Sequence, residues 1–218
     1  YLSAVLVLLH MTRLTDSCRV EWKLLRLHGS EVGRILGLGV PAGIQHMIFA
    51  VANLFIQVGI NSFDSTVVSG NSAAVNVDNV IYNVMAAFYT ACSTFMGQNW
   101  GAGKKDRMMK SYYISLGYSF AIAAVLGAAF LLCGEPFLYI FTNDADVVAA
   151  GMERMRIMCF SYCVSAFMDC TIAACRGLGR SFVPTVIVIM GSCVFRVIWV
   201  YTIFAHFHTI PSLYLLYI

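Results

Sequence analysis

Three ionisable side chains, Asp78, Asp169 and Arg196, stand inside long apolar stretches of the sequence. Charge in such surroundings is costly, so it marks a bundle interior, an ion pair or a wet pathway. Around Asp78 cluster Asn71, Ser72, Asn76, Asn79, Tyr82, Asn83 and Thr90. At about 100° per residue these fall within an arc of roughly 160° on one helix. The other side carries Ala73, Ala74, Val77, Val80, Ile81, Val84, Met85 and Phe88 and is compatible with lipid. An acid among amides can line a solvated path for cations or polar solutes. The same arc can also be buried against neighbouring helices. Asp169 shares a stripe with Tyr162, Ser165 and Ala173, at steps of three and four. It is a candidate for a protonatable carboxyl or for an acceptor serving a neighbouring helix.

A second polar line lies earlier in the chain, with Gln45 and His46 followed by Asn53, Gln57 and Asn61 at helical spacing. It has no acid, and amides so placed either bond between helices or wall a cavity. Pro41, flanked by Gly37, Gly39 and Gly43, is a hinge candidate near the start of that helix.

Other chemistry is hard to find. Gly103-Lys104 lacks the upstream Gly and following Ser or Thr of a phosphate loop, and no strand precedes Gly37-Leu38-Gly39 to make a dinucleotide site. The eight cysteines form no C-x-x-C pair, and His206 with His208 has headgroup contact as its simpler reading. No catalytic residue, metal site or organic cofactor is expected, and the chain does not read as an enzyme.

The elements that must position these groups follow from composition. Of 218 residues, 60% are apolar and only 11% charged, and the mean hydropathy is +0.77. Soluble proteins carry roughly 25% charged residues. Such a chain cannot cover a globular surface with polar groups, which excludes soluble enzymes, disordered chains and nucleic-acid binders. The expectation is an all-α integral membrane protein in the lipid bilayer. Five full spans are read at about 35–61, 71–99, 111–133, 157–175 and 182–205. Residues 1–10 and 211–218 are each too short to cross a bilayer and read as cut helix ends. Residues 11–34 form a basic cytoplasmic segment, either amphipathic on the membrane surface or a plain linker, and 35–218 form the main body.

Orientation follows from the linkers. Arg13, Arg19, Lys23, Arg26 and Arg34, then Lys104, Lys105, Arg107 and Lys110, then Arg176 and Arg180 fall on one side. Those eleven of the fourteen basic residues place that side in the cytoplasm. Arg154 and Arg156 fall outside. At about 1.5 Å per residue, Asp78 lies roughly 10 Å below its outer end and Arg196 roughly 9–14 Å below its own. Similar depth makes Arg196 the ion-pair candidate for Asp78, with Asp169 nearer the cytoplasm.

Several stretches, in this order and on these sides, resemble the multidrug and toxic compound extrusion (MATE) family. They are Gly39-Val40-Pro41-Ala42-Gly43-Ile44-Gln45, Gly97-Gln98-Asn99-Trp100-Gly101-Ala102-Gly103-Lys104-Lys105-Asp106-Arg107, Phe141-Thr142-Asn143-Asp144, and Arg176-Gly177-Leu178-Gly179-Arg180-Ser181 followed by Pro184. The style is that of the bacterial DinF-like branch. The resemblance implies the C-terminal six-helix lobe of a twelve-helix transporter, from the end of helix 6 to the start of helix 12, with an N-terminal lobe missing from this chain. It implies a bacterial cytoplasmic membrane and a cationic, amphipathic small-molecule substrate. It also implies export by alternating access in exchange for H+ or Na+. The departure is the first full span, which has no acid where the NorM-like branch carries one.

On that basis Asp78 and Asp169 are the cation-coupling candidates. Gln45, Asn53, Gln57, Asn76, Asn79, Tyr82, Asn83 and Tyr162 are the cavity-lining candidates, and Pro41 is the hinge. The rivals are a lipid-linked oligosaccharide flippase of the same superfamily, which calls for a more cationic cavity, and a membrane-embedded enzyme or a purely structural bundle.

Overall fold

A computed structural model describes residues 2–14, 19–21, 26–207 and 209–217, and every regular element among them is helical. The chain divides into two units, 1–37 and 38–218.

The first unit holds α1 (Leu2–Arg13) and the opening of α2 (Gly29–Ile60). α1 buries no residue and leaves Leu2, Val5, Leu6 and Leu9 exposed, as a helix made for lipid does. The Val20 amide donates to the Met11 carbonyl at 3.1 Å. Of the apolar residues in the amphipathic reading, Trp22, Leu24 and Leu25 lie outside the described residues, and Leu27 is exposed. α2 is already helical at Gly29, ahead of the span expected from Ile35.

The second unit continues with α3 (Ser65–Gly101), α4 (Lys105–Leu138), α5 (Ala145–Gly177), the long helix α6 (Phe182–Phe207) and the short α7 (Ile210–Tyr214). Four of these, α2, α4, α5 and α6, are long and apolar enough to cross a membrane. α3 matches them in length, and its asparagines set it apart from them in hydropathy. The α3–α4 and α5–α6 joints fall on one side, where the basic clusters predict the cytoplasm.

Those two joints share a chemical device. α3 ends in Gly101-Ala102-Gly103-Lys104 and α5 in Gly177-Leu178-Gly179-Arg180. Gly103 and Gly179 adopt φ of 69° and 78°, the left-handed region that a side chain resists. In each, the glycine amide reaches back to Trp100 or Arg176, and the basic residue's amide to Asn99 or Cys175, at 2.9–3.0 Å. This Schellman pattern satisfies the last carbonyls and delivers a cation to the negative helix end. At the other side Asp144 caps α5 by accepting from the Asp146 amide at 3.0 Å.

α3, α4 and α5 form the packed core around Ala74, Ile81, Met85, Ala123, Leu138, Met158 and Ala166. α3 and α5 run parallel and touch closely: a Cβ on Gly70 would meet the Val147 carbonyl oxygen at 2.6 Å. α4 bends at Cys133 (φ −118°, ψ 15°), three residues before Pro136, whose ring displaces the preceding turn. α2 and α6 join this core through a separate cluster of Ile56, Ile60, Phe204, Leu213 and Tyr214.

One expectation is corrected here. The face of α3 read as lipid-compatible is mostly core: Ala73, Ala74, Val77, Ile81 and Met85 are buried, while Val80 and Val84 are exposed. α3 packs α4 and α5 on that side, so apolarity there reflects helix contact more than lipid. Large apolar residues facing outward sit elsewhere, such as Val125 on α4, Ile187 on α6 and Leu54 on α2.

Candidate functional site

A cavity of about 480 Å³ lies between α2, α3, α5 and α6, with Tyr217 closing one wall. The polar arc of α3 is graded across it. Asp78 and Asn71, at one edge of the arc, are buried, Tyr82 is half-buried, and Asn79, Asn83 and Asn76 are exposed. A single helix therefore presents Asp78 and Asn71 inward and Asn76, Asn79 and Asn83 outward, as a 100° step dictates.

Of the lining candidates, Gln45, Asn53, Gln57, Asn79 and Tyr82 face the cavity, together with Asp78, Asp169 and Arg196. Asn76 and Asn83 lie outside its wall, on the exposed far edge of the α3 arc. Tyr162 is buried behind the wall, donating to Asp78 Oδ1 and resting edge-on against Tyr82 with ring centres 5.7 Å apart. Pro41 is half-buried within α2, which continues as helix through it.

The ion pair differs from the expected one. Arg154 Nη2 donates to Asp78 Oδ2 at 2.5 Å, and Arg154 Nη1 donates to Asn71 Oδ1. The Arg154 guanidinium also lies 5.5 Å from the Tyr214 ring and 5.7 Å from that of Tyr217. Arg196, the expected partner, donates instead to Asn53 Oδ1 at 3.2 Å and sits 4.7 Å from the Tyr217 ring and 5.4 Å from that of Phe49. Depth matching is satisfied equally by any basic residue on a neighbouring helix, and Arg154 stands on α5, which packs directly on α3.

Arg154 escapes the sequence reading because it falls beside Glu153 and Arg156 in the polar start of its helix, which reads as lying outside the membrane. A signal did exist. The stripe of Asp169, Ser165 and Tyr162 continues at helical steps through Met158 to Arg154. All of these except Tyr162 line the cavity.

Beside the α5–α6 joint, Gln45 accepts from Arg176 Nη2 at 3.0 Å and from Thr185 Oγ1 at 3.1 Å. One buried amide thus joins α2, the end of α5 and the start of α6 just beyond Pro41. At the far end of α2, Gln57 Nε2 donates to Asn61 Oδ1 at 2.8 Å, so that line of amides is partly self-satisfied.

The charge balance is simple. Asp78 and Arg154 neutralise each other in the buried wall, leaving Asp169 and Arg196 as the cavity's carboxylate and guanidinium without an ionic partner among the described residues. Among the described residues no group of three or more His, Cys, Asp or Glu is placed to hold a metal ion. The arrangement can bind a small cation at Asp169 and can receive a polar or amphipathic solute against a wall of amides and aromatic rings.

Comparison with known proteins gives consistent results. The family model described as MatE matches residues 41–202. The chain is 31% identical over 132 residues to a probable multidrug resistance protein, YpnP, of Bacillus subtilis, covering 61% of this chain and 30% of that protein. It is 23% identical over 152 residues to a probable multidrug resistance protein NorM of Photorhabdus laumondii, covering 70% of this chain and 33% of the relative. A crystal structure of MATE in complex with MaD3S superposes with a TM-score of 0.85 at 16% identity, covering 99% of this chain and 48% of that one. The chain thus spans about a third of the length of these curated relatives and about half of the solved chain.

Proposed function

Because this chain belongs to the MatE family of membrane transporters, we propose that it forms the C-terminal lobe of an exporter of drugs and organic cations. Export would be driven by inward movement of H+ or Na+ across a bacterial cytoplasmic membrane. Most of the similar relatives are described as multidrug resistance or multidrug and toxin extrusion proteins and one as an FAD transporter, which favours drug export over transport of lipid-linked sugars. The observation that carries the reading is a polar cavity inside an apolar bundle, with Asp169 half-buried in its wall and in no salt bridge among the described residues. A second, N-terminal lobe would face the cavity and the exposed asparagines of α3.

The mechanism assigns different tasks to the two acids. Asp78 is committed to Arg154 and Tyr162, so releasing it for a coupling ion would leave a buried guanidinium uncompensated. Asp169 has no such commitment and is the stronger coupling candidate. A cation held at Asp169 cancels its charge and lowers the cost of closing the cavity around it. Closure would move α2, which is joined to α5 and α6 through Gln45 and softened at Pro41. Alternating access is then rocking of the lobes about this fixed site.

The test is efflux of a fluorescent cation from proteoliposomes holding the product of the complete gene, under separate proton and sodium gradients. Asp169→Asn is expected to abolish gradient-driven efflux while leaving downhill exchange of dye. Unchanged driven efflux in this variant would remove Asp169 from coupling.

A further inference from the structure

Two thiols and two thioethers meet where α3, α4 and α5 pack together below the cavity. Cys92 on α3 and Cys170 on α5 are both 0% exposed, and their side chains hydrogen-bond each other across the helix pair. Met96, one helical turn after Cys92 and also buried, belongs to the same cluster, and Met108 of α4 packs against it. Ser115 and Ser119 of α4 approach the thiols of Cys92 and Cys170 respectively. The backbones are close here: a Cβ on Gly177 would collide with the Ser93 carbonyl oxygen, and one on Gly97 would meet the Gly177 carbonyl oxygen at 3.1 Å. None of Cys92, Met96, Met108 and Cys170 lines the cavity.

This donor set is selective. Thiolate and thioether sulfur are soft ligands that favour Cu(I) over Mg2+, Ca2+ or Mn2+. Zn(II) takes four ligands from thiolate, imidazole and carboxylate, and among the described residues no group of three or more His, Cys, Asp or Glu is assembled. The sulfurs beyond the two thiols are thioethers, which serve a soft ion and not zinc. Charge favours a monovalent ion as well. One thiol that releases its proton as the metal–sulfur bond forms leaves a thiolate that cancels a single positive charge, so the loaded site is neutral inside an apolar bundle.

We propose that Cys92, Cys170 and Met96 form a binding site for a soft monovalent metal cation of the Cu+ and Ag+ class, with Met108 at its edge. The second thiol and the Met96 thioether complete the shell as neutral donors. Ser115 and Ser119 donate to the sulfurs and hold them in place, as outer partners do around metal ligands. Met96 and Met108 both lie nearer the α3–α4 joint than Cys92 does, so thioethers line the approach from that end. An ion shared by Cys92 and Cys170 ties α3 to α5. The site is distinct from the cavity and does not depend on what the cavity carries.

The test uses the purified product of the complete gene with every cysteine except Cys92 and Cys170 replaced by alanine. Cu(I) is the probe, delivered without oxygen from its bicinchoninate complex. This parent protein is expected to withdraw a single equivalent of Cu(I) from the chelator, and X-ray absorption at the copper edge to show sulfur donors alone. Ag+ is expected to displace the bound copper and Zn(II) to leave it in place. These readouts need no further variant to fold. Outer partners of a metal site are worth about 10–100-fold in affinity. Ser119→Ala is therefore expected to weaken binding about tenfold, and Cys92→Ala or Cys170→Ala by at least about a hundredfold. Met96→Leu, which keeps the apolar bulk, is expected to fall between. No withdrawal of copper by the parent, nitrogen or oxygen donors in its spectrum, or displacement by Zn(II) overturns the site. Undiminished uptake after Cys92→Ala combined with Cys170→Ala does so too.

Discussion

Arg154 on α5 and Asp78 on α3 meet at 2.5 Å with their side chains 5% and 6% exposed, an ion pair sealed inside the lobe. Its neighbours complete it: Tyr162 donates to the other carboxylate oxygen, and Asn71 accepts from the other guanidinium arm. Removing one member of a buried pair strands the other charge and costs about 3–5 kcal/mol, while replacing both by apolar residues is often near neutral. Asp78→Asn and Arg154→Met are each expected to lower thermal stability in detergent sharply, and Asp78→Leu with Arg154→Met to recover most of the loss. Additive losses in the double variant would show that the two do not act as a unit.

Tyr162→Phe isolates one spoke of that network. The ring and its edge contact with Tyr82 are retained, and only the hydroxyl bonded to Asp78 is lost. A hydrogen bond to a charged group is worth about 1.5–3 kcal/mol. The expected outcome is a melting shift smaller than that of Asp78→Asn and in the same direction. A null shift would place the Asp78 charge under the control of Arg154 and Asn71 alone.

The α3–α5 contact makes a purely steric prediction. A methyl group on Gly70 would sit 2.6 Å from the Val147 carbonyl oxygen and 2.8 Å from the Gly151 nitrogen, both backbone atoms that cannot rotate away. Overpacking of this kind costs about 1–3 kcal/mol. Gly70→Ala is expected to destabilise by that amount, whereas Gly117→Ala on α4, with nothing within 4 Å, is expected to be neutral or slightly stabilising. Equal melting temperatures for the two would contradict the close crossing.

The helices and their order were legible because bilayer length is a one-dimensional signal, written in the apolar runs, with the basic groups at Lys104-Lys105 and Arg176 marking the joints between them. The α3 arc was legible too, because phase is a property of one helix. Partnership was not. Whether Arg154 or Arg196 reaches Asp78 depends on which helix packs against α3; the stripe from Asp169 to Arg154 gives the face that Arg154 occupies and not the helix it meets. The direction of the arc failed for the same reason: Ala73, Val77 and Ile81 are suited alike to lipid and to a neighbouring helix. The π-turns around Arg196 escape sequence patterning altogether, since Ile189–Phe204 contains no Pro and reads as an even apolar helix.

Gln45 offers a test of the junction between α2, α5 and α6. Its single oxygen serves Arg176 and Thr185 at once, and the side chain is buried. Gln45→Leu keeps the approximate volume and deprives both donors. Leaving a buried donor unpaired costs about 1–3 kcal/mol, more when it is charged. The variant is expected to melt earlier and to transport at an altered rate, since α2 loses its bond to α5 and α6. Gln45→Glu, placing an anion against Arg176, is expected to restore stability and slow turnover by tightening the same junction. Identical transport rates in both variants would separate this junction from the transport cycle.

The wet seam of α3 can be probed one residue at a time. Asn79, Asn83 and Val125 are all exposed on the lobe, yet the first two lie on the amide edge of α3 and Val125 is 63% exposed on apolar α4. On the proposed transport path these surfaces meet different solvents in a bilayer: water in a central pathway for α3, and acyl chains for α4. Maleimides react with the thiolate, a form that hydrocarbon suppresses. With the eight native cysteines replaced, Asn79→Cys and Asn83→Cys are expected to label at least about tenfold faster than Val125→Cys with a charged maleimide. The protein should be in liposomes and the reagent on both sides, so that orientation does not enter. Detergent should then narrow the gap, because it lets water reach α4 while changing little at α3. Equal labelling in the bilayer would mean that the asparagines of α3 face lipid, and a polar transport path along that helix would be lost.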